Sequence, residues 1–155
     1  MYVYYYETTL GKMGIVTEND QVIQVFFGKK RVIAEEKETE LIREVHNQIH
    51  EYLMGDRKQF DIPIKITGTP FQKKVYKALL KIPYGQTSTY EQIAKMLNNP
   101  KAYRAVGLSN GKNPIAIIIP CHRVIGKNGN LTGYAGGLTR KKKLLNLEHK
   151  NNEIL

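Results

Sequence analysis

The sequence predicts an α+β protein, in which a small α/β unit precedes a helical half that begins near residue 69. Three stretches rich in Tyr, Val, Ile and Phe, at residues 2–8, 13–17 and 21–27, favour short strands separated by polar turns, as in an antiparallel meander. After residue 69 the apolar residues instead recur every three or four positions, which is typical of amphipathic helices. We therefore predict two domains, at residues 1–68 and 69–155.

The first domain is predicted to close with one helix and one further strand. Residues 38–54 carry apolar side chains at helical spacing, Gly55 follows as the expected C-cap, and residues 60–67 favour a strand. His46 and His50 stand four residues apart on that helix, a spacing that zinc sites use. Because a third ligand is missing nearby, we interpret them as the polar edge of an amphipathic helix and predict no metal site.

Local signals delimit the helices of the second domain. Thr69 to Gln72 has the pattern of a capping box with proline at the first helical position, and Pro83 ends that helix. The glycine-rich segment 126–137 is predicted to be a mobile loop around Tyr134, and residues 139–149 are predicted to form a final helix.

Between these elements, two short helices joined by a tight turn predict a helix-turn-helix. Two alternatives can cap the first of them, namely Ser88 with Glu91 or Thr89 with Gln92. The second helix lies between Pro100 and Gly111 and presents Lys101, Tyr103 and Arg104 beside small residues such as Ala102. Small residues let a helix backbone approach nucleic acid closely, but an ordinary helical hairpin is the commoner structure.

The net charge of +10 lies entirely in the second domain. Residues 1–68 contain nine Lys or Arg and eleven Asp or Glu, a balance of −2, and residues 69–155 contain fifteen against three, a balance of +12. This asymmetry favours a polyanion such as nucleic acid as the partner, with a solubilising basic face as the alternative. No apolar run approaches the ~20 residues that span a bilayer, and the N-terminus predicts no signal peptide.

The only cysteine, Cys121, follows a run of isoleucines and a proline and precedes His122 and Arg123. Residues 115–119 predict a buried strand that Pro120 ends, so the strand would hold Cys121 at its exit. A thiol with a pKa of about 8.5 needs a base to become a nucleophile at neutral pH. The alternatives are an inert buried cysteine and a metal ligand, although no second cysteine is present.

His122 is the nearest candidate base, but neighbouring side chains on an extended segment point in opposite directions. A turn after Pro120 or a bridging water would remove that difficulty. An imidazole base usually needs an orienting carboxylate, and Glu148 is the best candidate by elimination because Glu91 lies in the first helix of the helix-turn-helix and Glu153 near the end of the chain.

The segment IPCHRVIG at residues 119–126, with Asn113-Pro114 before it and Gly133 to Gly137 after it, closely resembles the O6-alkylguanine-DNA alkyltransferase family. The resemblance extends from about Thr69 to Glu148 with family-like spacing. Residues 1–68 resemble the family only in outline, and for them it implies a ribonuclease-H-like α/β domain packed on the C-terminal helical domain.

The resemblance also implies roles for individual residues. Cys121 would accept the alkyl group, and His122, a water and Glu148 would generate its thiolate. Tyr90 would rotate the target phosphate and hydrogen-bond the flipped guanine, while Arg104 would fill the gap in the base stack. Lys101, Ala102 and Tyr103 would lie on the helix that enters the minor groove. Asn113 would be the hinge between the helix-turn-helix and the Cys121 loop. The pocket for the base would be formed by Val124, Tyr134, Ala135 and Gly136.

Two departures from the family pattern have consequences. Position 135 is often serine in the family, so Ala135 changes the pocket size but keeps the backbone N–H that would face the alkylated oxygen. Some members hold a structural zinc through cysteines in the first domain, and this chain has no cysteine there.

The function implied is suicidal DNA repair, in which residues 69–155 bind double-stranded DNA and move an alkyl group from flipped-out O6-alkylguanine, or more weakly O4-alkylthymine, to Cys121. We expect no cofactor, a single turnover, a monomer and a cytoplasmic location with access to the chromosome. The alternative is a non-enzymatic module that recognises alkylated DNA and signals to other repair factors, but relatives of that kind lack the cysteine. A hydrolytic cysteine enzyme lacks an evident oxyanion loop and leaves the basic charge unexplained.

Overall fold

The computed structural model describes residues 1–153, and the chain divides into two compact units. Unit 1 comprises Met1–Ile66 and Pro114–Ile118, and unit 2 comprises Thr67–Asn113 and Ile119–Leu155. The proposed domain boundary between residues 68 and 69 stays a prediction, and the return of residues 114–118 to unit 1 was not anticipated.

Unit 1 is built on a four-stranded sheet. The first three strands pair antiparallel, each with the next along the chain, in the order β3-β2-β1, which confirms the predicted meander. The short strand β4 pairs in parallel with β1 on the side away from β2. The strands are β1 (Tyr2–Thr8), β2 (Gly11–Glu18), β3 (Gln21–Phe27) and β4 (Glu35–Glu36). Sequence patterns missed β4 because it consists of two exposed glutamates.

Helix α1 (Glu40–Leu53) follows the sheet and packs on β1 and β2. Thr39 caps it by accepting a hydrogen bond from the Ile42 backbone N–H at 3.2 Å, and the helix buries one apolar face that includes Val45 and Tyr52. Gly55 follows the C-cap with a φ of 84°, the left-handed conformation in which glycine is preferred. The predicted helix is therefore confirmed, with slightly shorter ends.

The strand predicted at residues 60–67 is wrong. Only Ile64 bridges to Val22, where Val22 N–H donates to the Pro63 carbonyl and Lys65 N–H donates to the Val22 carbonyl, both at 2.9 Å. Pro63 has no N–H and cannot continue a ladder, so the pairing is limited to a single bridge.

The strand predicted at residues 115–119 is also wrong, although most of the segment is buried as expected. Ile115 forms an isolated bridge with Val25, and Ala116 N–H donates to the Val25 carbonyl at 3.0 Å. Ile117 then takes a φ of 69°, which is strained for a β-branched residue, and the chain turns as Ile118 N–H donates to the Ala116 carbonyl. The run of β-branched residues therefore indicates burial correctly, but it does not indicate an extended backbone.

Unit 2 is mainly helical, and its helices α2, α3 and α4 pack against one another. Both capping boxes form, at Thr69 with Gln72 and at Thr89 with Gln92, so the alternative cap by Ser88 with Glu91 is not used. The elements are α2 (Pro70–Leu79), β5 (Ser88–Thr89), α3 (Tyr90–Met96), α4 (Tyr103–Gly111), β6 (Val124–Ile125) and α5 (Leu138–Glu153), with 3-10 turns at Pro100–Ala102 and Cys121–Arg123.

Within unit 2, a short parallel pairing holds the start of α3 beside the segment that follows Cys121. Ser88 pairs with Val124 and Thr89 pairs with Ile125. Among residues 1–153, no helix has the length and apolar character needed to cross a membrane.

Candidate active site

Cys121 begins a 3-10 turn, and its backbone is held by hydrogen bonds on both sides. Cys121 N–H donates to the Ile119 carbonyl at 2.8 Å, and the Asn110 amide donates to the Cys121 carbonyl at 3.3 Å. The Asn113 amide donates to the Ile119 carbonyl at 2.8 Å. Since Asn110 and Asn113 lie at the end of α4 and just after it, they tie that helix to the cysteine loop, which is where the hinge role of Asn113 was predicted.

The Cys121 thiol is 4% exposed, and burial raises its pKa to about 11. A hydrogen bond from the Asn113 side chain and the positive charge of Lys141 act in the opposite direction but do not overcome burial. At neutral pH the resting thiol is therefore protonated. Nucleophilic attack then depends on a base that removes the proton during the reaction.

His122, the residue after Cys121, forms a buried pair with Glu148. His122 Nε2 lies 2.7 Å from Glu148 Oε2, and both side chains are inaccessible to solvent. Burial lowers the pKa of His122, although Glu148 opposes the shift, so the ring is neutral near pH 7. Because an ionised carboxylate only accepts hydrogen bonds, Nε2 carries the ring proton and Nδ1 holds the lone pair. The backbone from Cys121 to Arg123 is a 3-10 turn and not the extended segment that the sequence suggested.

Arg123 holds the same carboxylate from a second direction. Its Nε donates to Glu148 Oε1 at 2.8 Å and its Nη2 donates to Oε2 at 3.0 Å, while Nη1 donates to the Ile82 carbonyl at 2.7 Å. The Gly85 N–H adds a hydrogen bond to Glu148 at 3.1 Å. Burial raises the pKa of Glu148, but the hydrogen bonds and charges of His122 and Arg123 outweigh it and lower the value to about 2.

Lys141 is buried and joins the short strand β6 to the glycine-rich loop. Its ammonium donates to the Val124 carbonyl at 2.5 Å and to the Thr132 carbonyl at 2.7 Å. Burial lowers the pKa of Lys141 to about 8. The carbonyl of Val124, one of the predicted pocket residues, therefore already accepts one hydrogen bond, and a carbonyl oxygen has room for a second.

The glycine-rich loop supplies the other predicted pocket residues. Tyr134 is buried, its pKa is raised well above the ordinary value by burial and by its proximity to Cys121, and its hydroxyl has no hydrogen-bond partner among residues 1–153. Ala135 is exposed, and Gly136 accepts a hydrogen bond from Arg140 at 2.9 Å. Gly137 N–H donates to the Tyr134 carbonyl at 3.0 Å and closes the turn that contains them.

Tyr90, the first residue of α3, reaches across to this loop. Its hydroxyl donates to the Thr132 carbonyl at 3.1 Å and lies 3.1 Å from the Thr132 hydroxyl. The Thr132 carbonyl also accepts from Lys141. Tyr90 and the pocket wall are thus linked through one shared carbonyl.

The predicted DNA-contacting residues lie at the start of α4 and on the turn before it. Lys101, Tyr103 and Arg104 are exposed, Ala102 is half-buried, and the Arg104 guanidinium lies 5.8 Å from the centre of the Tyr103 ring. Helices α3 and α4 form where the sequence predicted the two helices of a helix-turn-helix. That this pair of helices binds DNA stays a prediction.

His46 and His50, which have the spacing of zinc ligands, make ring contacts in unit 1. The His46 ring stacks on Tyr6 with the ring centres 3.8 Å apart, and the His46 and His50 rings are 6.3 Å apart. Within residues 1–153, no three side chains of His, Cys, Asp or Glu come together as a metal site would require.

Two family models cover nearly the whole chain. Residues 1–66 match the ribonuclease-like domain, and residues 70–150 match the DNA-binding domain, of 6-O-methylguanine DNA methyltransferase. The chain belongs to this family.

Whole-length relatives agree. The chain is 48% identical over 153 residues to a methylated-DNA--protein-cysteine methyltransferase of Methanosarcina acetivorans, covering 96% of this chain and 98% of the relative. It is 45% identical over 151 residues to the constitutive enzyme of that name from Bacillus subtilis, covering 92% of each. The structure resembles Mycobacterium tuberculosis OGT solved in complex with DNA, with a TM-score of 0.92, 38% identity and coverage of 97% and 94%.

Sequence reasoning missed two residues that organise the surroundings of Cys121. Arg123 stands next to the cysteine and histidine in the motif, which was an available signal, but nothing in the sequence indicated that it binds Glu148. Lys141 lies in the basic run Arg140 to Lys143, a pattern typical of a solvated helix face. Its burial depends on the packing of α5, which no local pattern reveals.

Proposed function

We propose that this protein repairs DNA by transferring the alkyl group of O6-alkylguanine to Cys121. The observation that carries the proposal is a buried thiol at Cys121, directly followed in a chain of this family by a buried histidine, His122, whose Nε2 lies 2.7 Å from Glu148 Oε2. The curated relatives are named as methyltransferases that act on methylated DNA and a protein cysteine. The non-catalytic alternative is not favoured, because the acceptor cysteine is present.

In the proposed reaction, His122 removes the thiol proton through a bridging water while Glu148 stabilises the resulting imidazolium. The sulfur electron pair attacks the alkyl carbon, and the electrons of the breaking carbon–oxygen bond remain on guanine. The Tyr90 hydroxyl supplies a proton to the base, and the proton on His122 is returned to Tyr90 through water. The Ala135 N–H stabilises the oxygen that loses the alkyl group.

Tyr90 must exchange partners for this role. Its hydroxyl donates to the Thr132 carbonyl in the DNA-free protein, and that hydrogen bond gives way when the base enters. Thr132 also holds Lys141, so the loop that carries the pocket residues keeps one fixed contact after the exchange.

Double-stranded DNA with alkylated bases is the proposed partner, and O4-alkylthymine is the weaker substrate. Alkylated guanine pairs poorly, which lowers the cost of flipping the base out of the stack. Minor-groove contacts distinguish bases only weakly and suit an enzyme that must ignore sequence. We propose action as a monomer without a cofactor, inside the cell where chromosomal DNA lies.

Arg104→Ala is expected to slow repair of duplex DNA by about 100-fold and reaction with free O6-benzylguanine by less than about threefold. The reason is that Arg104 would replace the flipped base in the stack, whereas a free base enters the pocket without being removed from a stack. Both rates can be measured as loss of reactive protein with time. Equal losses on the two substrates would show that Arg104 does not support flipping.

The stoichiometry tests the proposed function directly. A thioether on Cys121 is a poor leaving group, and the chain has no second cysteine to take up the alkyl group. Titration with excess methylated duplex should therefore stop at one equivalent of product per chain. Mass spectrometry should find the added methyl group on the peptide that contains Cys121, and continued turnover or modification elsewhere would contradict the proposal.

A further inference from the structure

We propose that Leu108 is an apolar wedge that enters the minor groove beside Arg104 and helps to unstack the DNA around the damaged base. The proposal rests on the proposed function, because it assigns Leu108 a part in flipping the alkylated base.

The first observation is the exposure of Leu108. It is 70% exposed, which is the highest value among the large apolar side chains described for unit 2. The neighbouring residues Val106, Ser109 and Asn110 are buried, so α4 has a packed side and presents Leu108 on the opposite side. A single exposed leucine is unremarkable on an ordinary surface, so the surroundings decide its meaning.

Those surroundings are basic. Lys101, Arg104 and Lys112 lie seven residues before, four before and four after Leu108, and all three are exposed. Arg104 and Leu108 lie one turn apart on the same face of α4, while Lys101 belongs to the 3-10 turn before the helix and Lys112 follows its end. The sequence contains no Asp or Glu from Gln92 to Leu147, so this face carries positive charge around an apolar tip. A minor groove has the matching chemistry, since phosphates line its edges and base and sugar surfaces form its floor.

The second observation places this face next to the pocket. A methyl group at Gly107 would lie 3.7 Å from the Tyr90 ring, so α4 packs closely on Tyr90 one residue before Leu108. Tyr90 in turn contacts the loop of Tyr134 through Thr132. Leu108 is thus adjacent to the helix surface that borders the proposed base pocket. Leu80, another exposed apolar residue, is instead the C-cap of α2.

Arg104 and Leu108 would act on different base steps. Four helical residues rise about 6 Å, which is close to two base steps of about 3.4 Å. In a helix that lies along the groove, Leu108 therefore meets the stack about two steps from the gap that Arg104 fills. Leucine cannot hydrogen-bond an orphaned base, so its contribution is to exclude water and to separate stacked bases, as apolar wedges do in other minor-groove proteins.

The test compares Leu108→Ala with the matched control Leu80→Ala, since both side chains are exposed and neither change should unfold the protein. We expect Leu108→Ala to slow repair of a methylated duplex about tenfold and to change reaction with free O6-benzylguanine by less than about twofold. Leu80→Ala should match the wild type on both substrates. An unchanged duplex rate for Leu108→Ala, or equal losses on both substrates, would overturn the wedge. A wild type that modifies neither substrate would instead overturn the proposed function.

A second readout reports unstacking directly. In a Cys121→Ala background, duplex DNA with 2-aminopurine two steps from O6-methylguanine should become more fluorescent on binding when Leu108 is present. Leu108→Ala should remove most of that increase, and Leu80→Ala should keep it. An increase that is the same with and without Leu108 would overturn the proposal.

Discussion

Cys121→Ala should abolish alkyl transfer completely while leaving the affinity for DNA within about threefold of the wild-type value. The thiol is buried and, with a pKa of about 11, uncharged in the resting protein, so its removal changes neither the surface nor the basic face that we propose to bind phosphates. Transfer is measured as methyl groups moved from a labelled duplex, and affinity by fluorescence anisotropy with the same duplex.

Cys121→Ser is the matched control for this prediction, because it keeps the side-chain shape and removes the reactive sulfur. Both variants should be inactive, and both should melt within a few degrees of the wild type. Transfer by either variant at the wild-type rate would remove Cys121 from the mechanism. A loss of DNA binding would show that the cysteine loop also shapes the DNA-contacting surface.

Glu148→Gln should slow transfer by roughly 100-fold and also destabilise the protein by roughly 3–5 kcal/mol. The slower transfer follows because the imidazolium of His122 loses its carboxylate, so the ring is a weaker base and the apparent pKa of the Cys121 thiol rises. The rate should therefore increase at a higher pH than in the wild type. The loss of stability follows because Arg123 remains buried with its charge no longer neutralised. The amino-acid sequence alone gives no reason to expect this loss of stability, because it does not reveal the contact between Arg123 and Glu148.

The double variant Glu148→Gln, Arg123→Gln separates these two effects. It removes both buried charges, so it should regain part of the stability in urea denaturation but remain slow in transfer. Recovery of the wild-type rate would mean that Glu148 acts only through the fold, and an unchanged pH profile in Glu148→Gln would remove it from the relay.

The same carboxylate predicts how acid affects the wild type. The pKa of Glu148 is about 2 in the folded protein against an ordinary 4.5, so its ion pair stabilises the fold fully above pH 4.5. That stabilisation is lost as the pH falls toward 2. The lowered pKa of His122 also makes the fold less stable as the pH falls. In the unfolded chain the ring is protonated below about pH 6.5, whereas in the folded protein burial keeps it neutral to a lower pH. Glu148→Gln should therefore show a weaker loss of stability below pH 4.5.

Local signals in the sequence determined much of the fold. Thr69 with Gln72 and Thr89 with Gln92 bond within one helical turn, so the two capping boxes could be recognised without any distant contact, although only the structure decided between Thr89 and Ser88. The meander of the first three strands follows from alternating side chains and short turns. The two failed strands had apolar residues in the right numbers, but Pro63 and the left-handed Ile117 limited each to one bridge.

The sequence by itself also determined that one thiol stands beside a histidine and an arginine in a strongly basic half, and its motif was sufficient to indicate the family. Only the tertiary structure decided which distant groups surround that thiol. Glu148 lies 26 residues from His122 and 25 from Arg123, and Lys141 lies 17 residues from the Val124 carbonyl that it binds. Such contacts depend on how α5 packs against the cysteine turn, and packing is a property of the whole core that no local pattern records.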